Sequence, residues 1–420
     1  GRELHEDLPD LRVGGVSTLD LALTLPTDGR PGQARGRVGL LDNDVRLPDW
    51  KVELGRLRGE ADFTETSLEI RDVQALWRGA PIRLDLELAG RELRTQIAGK
   101  LGLSALVGAS AAAVLKSQMT GASDWKAVLV VPTRRREQES AFSLELSSDL
   151  RGVAINLPAP LGKSTGESRP LRITVRPVER DRSVVALEYE PEARALLELT
   201  GLLDTPRFER GELRIGAGPA RLPEEPGLAI VADLPRWTWT APVDRSSPDQ
   251  DGNGGAGCRA SGAPESTLNP LTVVSHLEAR IGELSVAGQS FDGMMIRAHR
   301  DPDGLQFVLD IATLAGQVTM PDRPTPARPA HVALQRLWIH RATDNSNGLS
   351  HVEPTSSANP CQLPPLALTV ADLRLDDREL GRLRLALMPR FNGVRLSGIE
   401  LRSAQQQIDA DGEWWWNGDH

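Results

Sequence analysis

Apolar and polar residues alternate one by one through the regular stretches of this chain, and that rhythm limits its fold more than any other feature. Leu19-Asp20-Leu21-Ala22-Leu23-Thr24-Leu25 and Ile82-Arg83-Leu84-Asp85-Leu86-Glu87-Leu88 are clear cases. A period of two puts every apolar side chain of a strand on one sheet face. The pattern returns in Phe142-Ser143-Leu144-Glu145-Leu146, Leu171-Arg172-Ile173-Thr174-Val175, Leu366-Ala367-Leu368-Thr369-Val370 and Leu383-Arg384-Leu385-Ala386-Leu387. Strands that are wet on one face belong to antiparallel sheets. Short turn signals such as Thr27-Asp28-Gly29, Arg58-Gly59, Arg78-Gly79-Ala80-Pro81 and Pro302-Asp303-Gly304 close hairpins rather than lead into crossover helices. A parallel α/β sheet is therefore disfavoured.

Two segments break the rhythm toward helix. The Ala-rich run from Ala105 to Leu115, closed by Gly121, predicts a helix over 104–119. A shorter helix is expected over 191–199. Segments 246–270, rich in Gly, Ser, Asp and Pro, and 342–360, rich in Asn, Ser and Thr, read as long disordered loops between strands. The expected organisation is strands over 1–100, a helix over 101–121 and strands over 122–240. A loop over 241–270, strands over 271–341, a loop over 342–360 and strands over 361–420 complete it.

The apolar surface is aliphatic, because aromatic residues make up only 4% of the chain, with 9 Trp, 6 Phe and 1 Tyr. Lys and Arg total 49 against 58 Asp and Glu, a net charge of -9, and the two signs are interspersed. Nucleic-acid binding by phosphate neutralisation is not expected. The 2 cysteines exclude a thiolate zinc site within one chain. Cys258 and Cys361 lie in or beside the two loops, so an oxidising compartment could join them, whereas a reducing one would leave two thiols. The longest uncharged apolar stretch, 101–115, is about 22 Å as a helix, short of the ~30 Å hydrocarbon core. Beginning at Gly1 inside charged sequence with no signal peptide, the chain reads as a segment of a longer protein.

Catalytic and cofactor motifs fare poorly. Gly162-Lys163-Ser164 matches the end of a phosphate-binding loop, but Leu157 stands where that loop needs glycine. Asp249-Gln250-Asp251-Gly252-Asn253-Gly254 begins like a calcium loop, yet Ala260 occupies the closing position where a bidentate Glu belongs. Histidines 5, 276, 299, 331, 340, 351 and 420 show no His-x-x-x-His spacing, and no Gly-x-Ser-x-Gly elbow is present. The carboxylate pair Asp376-Asp377 has no partner in sequence to suggest a cleft. The expectation is a protein without enzymatic activity, cofactor, metal or bound nucleotide.

One-sided aliphatic strands have two uses. Two such faces can pack together into a closed core, as in a β-sandwich, which makes a scaffold. Alternatively one face stays open as a groove, which suits alkyl chains because each buried methylene contributes about 0.8 kcal/mol whatever its neighbours. Ser147-Ser148-Asp149-Leu150-Arg151-Gly152, running on through Leu157-Pro158-Ala159-Pro160-Leu161-Gly162-Lys163, resembles a segment characteristic of the YhdP family of AsmA-like proteins of Gram-negative bacteria. Gly121-Ala122-Ser123-Asp124-Trp125 before it is similar to that family's entry into a strand pair. Leu363-Pro364-Pro365-Leu366, Leu380-Gly381-Arg382-Leu383 and Asp411-Gly412-Glu413-Trp414 are similar to its later strand ladder.

The resemblance implies the middle of a bridge-like phospholipid transporter. Its fold would be mainly β, an elongated, twisted antiparallel sheet forming a gutter, with one or two short helices. It would stand in the periplasm as part of an inner-membrane-anchored protein and carry phospholipid acyl chains between the inner and outer membranes. Groove-lining candidates are Leu19, Leu21, Leu23, Leu84, Leu86, Leu88, Leu144, Leu146, Ile155, Leu157, Ile173, Val175, Leu368, Val370, Leu383, Leu385 and Leu387. Asp149, Leu150, Gly152, Leu157, Pro158, Pro160, Lys163 and Trp125 form the family signature, for which a structural role is expected. Trp414-Trp415-Trp416 departs from the family pattern in its three consecutive rings and reads as a strand end.

Overall fold

A computed structural model of the chain describes residues 12–26, 32–48, 51–89, 92–106, 118–132, 142–157, 159–179, 181–202, 205–239, 270–286, 289–339, 363–376, 378–390 and 393–415. The chain divides into two compact units, one of Gly1–Leu213 with Ala217–Glu224 and a second of Arg214–Gly216 with Glu225–His420. The first holds β1 (Arg12–Thr24), β2 (Gln33–Leu47), β3 (Val52–Thr64), β4 (Ser67–Trp77), β5 (Ala80–Ala89) and β6 (Glu92–Gly102). The single turn α1 (Leu103–Leu106) is followed by β7 (Met119–Pro132), β8 (Ser143–Ser148), β9 (Val153–Ile155), β10 (Leu171–Pro177), β11 (Arg182–Tyr189) and β12 (Ala193–Thr200). β13 (Arg207–Ile215) reaches the boundary. The second unit contains β14 (Gly227–Trp239), β15 (Val274–Val286), β16 (Gln289–Asp301), β17 (Gly304–Asp310) and β18 (Leu314–Met320). It ends with β19 (Ala330–Ile339), β20 (Leu366–Leu375), β21 (Arg378–Arg390), β22 (Gly393–Arg402) and β23 (Gln407–Trp415).

Among the described residues the fold is thus mainly β, and the 23 strands there belong to one mixed sheet that is not closed into a barrel. In the first unit each strand from β1 to β8 pairs antiparallel with the next. β10 then pairs directly with β8, and β11 and β12 follow. β9 stands apart from this ladder and pairs with the first residues of β7, Met119–Gly121. Residues 149–170 therefore form a lobe inserted between two strands that are themselves neighbours.

Two joints of the second unit correct the all-antiparallel expectation. β14 and β15 run parallel, and so do β19 and β20. Parallel neighbours begin at the same end of the sheet, so the chain between them must travel back the length of a strand, which a tight turn cannot do. The two long segments read from the sequence as loops fall at these two joints. Residues 240–269 and 340–362 lie outside the described residues, as do Cys258 and Cys361.

The helix expected over 191–199 is a strand. Residues Ala193–Thr200 alternate in burial and pair along their length with β11, so tertiary pairing overrides the helix propensity of Ala, Glu and Leu. Of the helix expected over 104–119, the structure describes the turn α1 and the start of β7, while 107–117 lie outside the described residues.

Burial differs sharply along the sheet. Ile281 in β15 is 1% exposed and packs with Leu234, Ala279 and Met294, whereas every residue of β1 is exposed. Ile281→Ala is expected to cost about 2–5 kcal/mol in urea unfolding because its surroundings cannot collapse into the void. Leu21→Ala, at a site already half in water, should stay within about 0.5 kcal/mol.

Candidate functional site

Side chains of directly opposed residues in paired strands lie on the same sheet face. That rule traces one face across the first unit. Leu19, Leu21 and Leu23 of β1 oppose Val38, Gly36 and Ala34 of β2, and Val38 and Gly36 oppose Ala61 and Phe63 of β3. Ala61 and Phe63 meet Ile70 and Leu68 of β4, which meet Leu86 and Leu88 of β5. Leu84, Leu86 and Leu88 continue to Ile97, Thr95 and Leu93 of β6, then to Ala127, Leu129 and Val131 of β7. Leu146 and Leu144 of β8, Ile173 and Val175 of β10, Leu187 and Val185 of β11 and Ala195 and Leu197 of β12 extend the same rows.

The alternation slips phase within single strands, and bulges absorb each slip. The register shifts between Leu41 and Asn43, Gly55 and Arg58, and Ile70 and Val73. Each interval contains a residue with positive φ: Asp42 at 64°, Arg56 at 55° and Asp72 at 50°. An extra residue at each point lets apolar positions spaced by three stay on one face, as with Ile70 and Val73. The bulges are tied on the other face, where the Arg56 amide donates to Asp44 Oδ1 at 3.3 Å and the Asp72 amide donates to Asp85 Oδ1 at 2.8 Å.

That second face is ionic. Arg37 meets Asp62 at 2.7 Å, Arg58 meets Asp42 at 2.7 Å and Arg172 meets Glu145 at 3.3 Å. Hydrogen bonds from Arg37 and Arg58 hold the Asp62 and Asp42 carboxyls below their ordinary range. These exposed pairs contribute little to stability but keep this face in water, which fixes the apolar residues on the other.

The second unit repeats the arrangement. Ile230, Ala232 and Leu234 of β14 oppose Leu277, Ala279 and Ile281 of β15, which oppose Ala298, Ile296 and Met294 of β16. The rows continue through Phe307 and Leu309 of β17 to Val318 and Gly316 of β18 and on to Val332 and Leu334 of β19. Leu366, Leu368 and Val370 of β20 face Leu387, Leu385 and Leu383 of β21. Each unit therefore carries its own continuous aliphatic face.

The lobe of residues 149–170 lies against one end of the strands in the first unit. Its Leu150, Val153 and Ile155 are buried in one cluster with Leu57, Val73, Ala75, Ile82, Leu101, Trp125, Tyr189 and Ala193, and Leu161 packs against it. Lys163, 6% exposed, fastens the lobe: its Nζ donates to the carbonyl oxygens of Leu150 at 2.9 Å, Ser164 at 2.9 Å, and Val153. Burial pulls this ammonium below its ordinary pKa, while three carbonyl acceptors match its three donors. Tyr189 Oη donates to the Leu161 carbonyl at 3.1 Å, and Arg169 donates to the Pro160 carbonyl at 3.0 Å and to Glu192 at 2.7 Å. Gly152 has φ +94°, and a Cβ there would lie 2.4 Å from the Ala122 carbonyl oxygen, so only glycine fits.

The lining candidates fall into distinct environments. Leu19, Leu21 and Leu23 are 60%, 50% and 61% exposed on β1. Leu86, Leu88, Leu144, Leu146, Ile173, Leu368, Leu383 and Leu385 are half-buried, and Leu84, Val175, Val370 and Leu387 are buried. Ile155 is buried within the lobe and Leu157 is exposed on it, so neither belongs to the strand rows. Among signature residues, Trp125 is core and the Asp149 carbonyl accepts the Arg169 amide at 2.8 Å. Pro158 lies outside the described residues. Sequence reading missed Phe63, Leu68, Ile70, Leu93, Leu129, Val131, Val185 and Leu197; Leu129, Val131, Val185 and Leu197 sit in apolar runs such as Ala127-Val128-Leu129-Val130-Val131, where alternation gives no signal. Among the described residues, no three His, Cys, Asp or Glu side chains are grouped to hold a metal, and no helix is long and apolar enough to cross a membrane.

Within each unit the described strands thus present one aliphatic face carried from strand to strand, and in the first unit an ionic face opposite it. The chain belongs to the YhdP family: it matches the family described as YhdP protein over residues 1–420. It is 23% identical over 304 residues to the intermembrane phospholipid transporter YhdP of Escherichia coli (strain K12), covering 72% of this chain. The match takes in 23% of that relative's length, so the chain spans about a quarter of it. No solved structure matches the chain. Replacing Lys163 with Ala should loosen the lobe from within, because three of its carbonyls lose their donor together, at a cost of about 1–3 kcal/mol. Hydrogen exchange should then quicken in 150–164 while the amides of β4 and β5 stay protected.

Proposed function

We propose that this chain is one stretch of a periplasmic conduit, part of an inner-membrane-anchored protein, along which phospholipid acyl chains pass between the inner and outer membranes. The carrying observation is the row Ile70, Leu86, Leu129, Leu144, Val185 and Leu197. These aliphatic side chains of β4, β5, β7, β8, β11 and β12 are half-buried, while Thr95 of β6 and Val175 of β10 in the same row are buried. Strands stand about 4.8 Å apart, so such a row offers alkyl contacts at most steps across the sheet. Membership of a family with a member named for phospholipid transport supports the same reading. The proposed lining is the set of strand candidates from Leu19 to Leu387 together with the rows they oppose. Headgroups would stay at the wet edge, and no covalent step is required.

A guanidinium at position 86 separates a path from a closed scaffold core. Leu86→Arg places a charge among alkyl groups, where it must either be solvated by drawn-in water or reach out of the row. The expected result is loss of phospholipid co-purifying with the full-length protein, read by mass spectrometry, with thermal unfolding little changed because Leu86 is only half-buried. A parent protein that carries no phospholipid, together with a collapse of folding in the variant, would support the scaffold instead.

A further inference from the structure

We infer that the lobe of residues 149–170 sets which rows of the first unit's apolar face acyl chains can touch, with Lys163 as the residue that keeps the lobe in its shape. This rests on the transport reading. The argument comes from a gradient of burial running along the strands. In the row nearest the lobe, Ile82, Ala75, Trp125, Tyr189 and Ala193 are 3%, 4%, 5%, 6% and 4% exposed. Two rows away, Ile70, Leu86, Leu129 and Leu144 are half-buried, although Ala61, Thr95 and Val175 of that row are buried, and Phe63, Leu68, Leu88 and Leu93 in the row beyond are half-buried. On β4, β5 and β7 both sets share strand and face, so sheet pairing alone does not distinguish them. What differs is the cover: Leu150, Val153 and Ile155 join the cluster of the first set, and of the half-buried residues named Ile70 alone packs against it.

A cover that merely rested on apolar surface would exchange with an acyl chain, since one alkyl contact replaces another at nearly equal free energy. The lobe is tied by polar bonds that a lipid tail cannot offer. Within the lobe Lys163 Nζ gathers Leu150, Val153 and Ser164, and to its surroundings the Asn156 amide donates to the Gln118 carbonyl at 2.7 Å and Tyr189 holds Leu161. Displacing it would strand buried donors and acceptors, so the lobe acts as a fixed wall that leaves the opposite rows as the passage.

Photo-crosslinking tests this in the purified full-length protein, incubated with vesicles of phosphatidylethanolamine and phosphatidylglycerol carrying radiolabelled phosphate. A benzophenone amino acid replaces one aromatic residue at a time: Phe63 in the open rows or Trp125 beneath the lobe. The expected result is phospholipid label at position 63 and background label at 125. Adding Lys163→Met should raise label at 125 toward the level at 63, while label at 63 persists and reports that the sheet remains folded. Lys163→Arg, which restores a charged donor, should return label at 125 part of the way to background. Equal labelling at both positions in the parent would overturn the wall and leave transport standing. Absence of label at both would overturn the transport reading, and the wall with it.

Discussion

Everything in this molecule depends on keeping one side-chain parity through strand after strand. Because side chains alternate with a period of two, a slip of one residue in any pairing would turn an aliphatic row toward water and an ionic row inward. Arg37–Asp62 and Arg172–Glu145 oppose such a slip from the wet side, although each pair alone is weak. The bulges at Asp42, Arg56 and Asp72 serve the same end from within the strands. They fall on three consecutive strands, β2 to β4, and each restores the parity that the local sequence has lost.

Against this repetitive background the 149–170 lobe is an exception. It contains the densest set of non-repeating interactions described in the first unit: a buried ammonium on three carbonyls, a tyrosine hydroxyl on a fourth, and glycines where a Cβ would meet backbone. A strand ladder tolerates substitution because aliphatic residues replace one another within about 1.5 kcal/mol. The lobe does not, because its contacts are directional and its polar groups have specific partners. A motif made of Asp149, Gly152, Pro160 and Lys163 is therefore the part of the chain where sequence is most tightly tied to shape.

Much of the fold was legible in the sequence, and the failures have physical reasons. Ile82 to Leu88 and Leu383 to Leu387 read as strands because alternation and pairing agree there. Ala193 to Thr200 misled because Ala, Leu and Glu favour helix locally, while the partners that make it a strand lie in β11. The parallel joints were invisible because strand direction depends on where the connecting segment emerges, which composition does not encode. The rows themselves were half legible: Leu86 and Leu144 stood out, but Ile70 and Val73 did not, since their spacing of three breaks the pattern until a bulge at Asp72 repairs it. Lys163 was recognised only as part of a motif. Its role needs Leu150 and Val153, whose backbone carbonyls have no signature in sequence.

Under the proposed function, the aliphatic composition matters. A path must hold its cargo at every point without holding it much more tightly at any one of them, because a deep local minimum becomes a trap. Alkyl contacts suit this requirement: they are non-directional, and their free energy follows the area covered rather than the identity of the neighbour. Rows of Leu, Ile, Val and Ala at strand spacing offer an acyl chain nearly the same environment after each step. Aromatic rings add specific geometry and larger single contributions. In the first unit Trp125 and Tyr189 lie under the lobe, and the half-buried Phe63 stands among leucines. On the proposed reading, the lobe's ammonium–carbonyl and phenol–carbonyl bonds are directional, whereas the alkyl rows have little beyond contact area with which to hold a lipid in place.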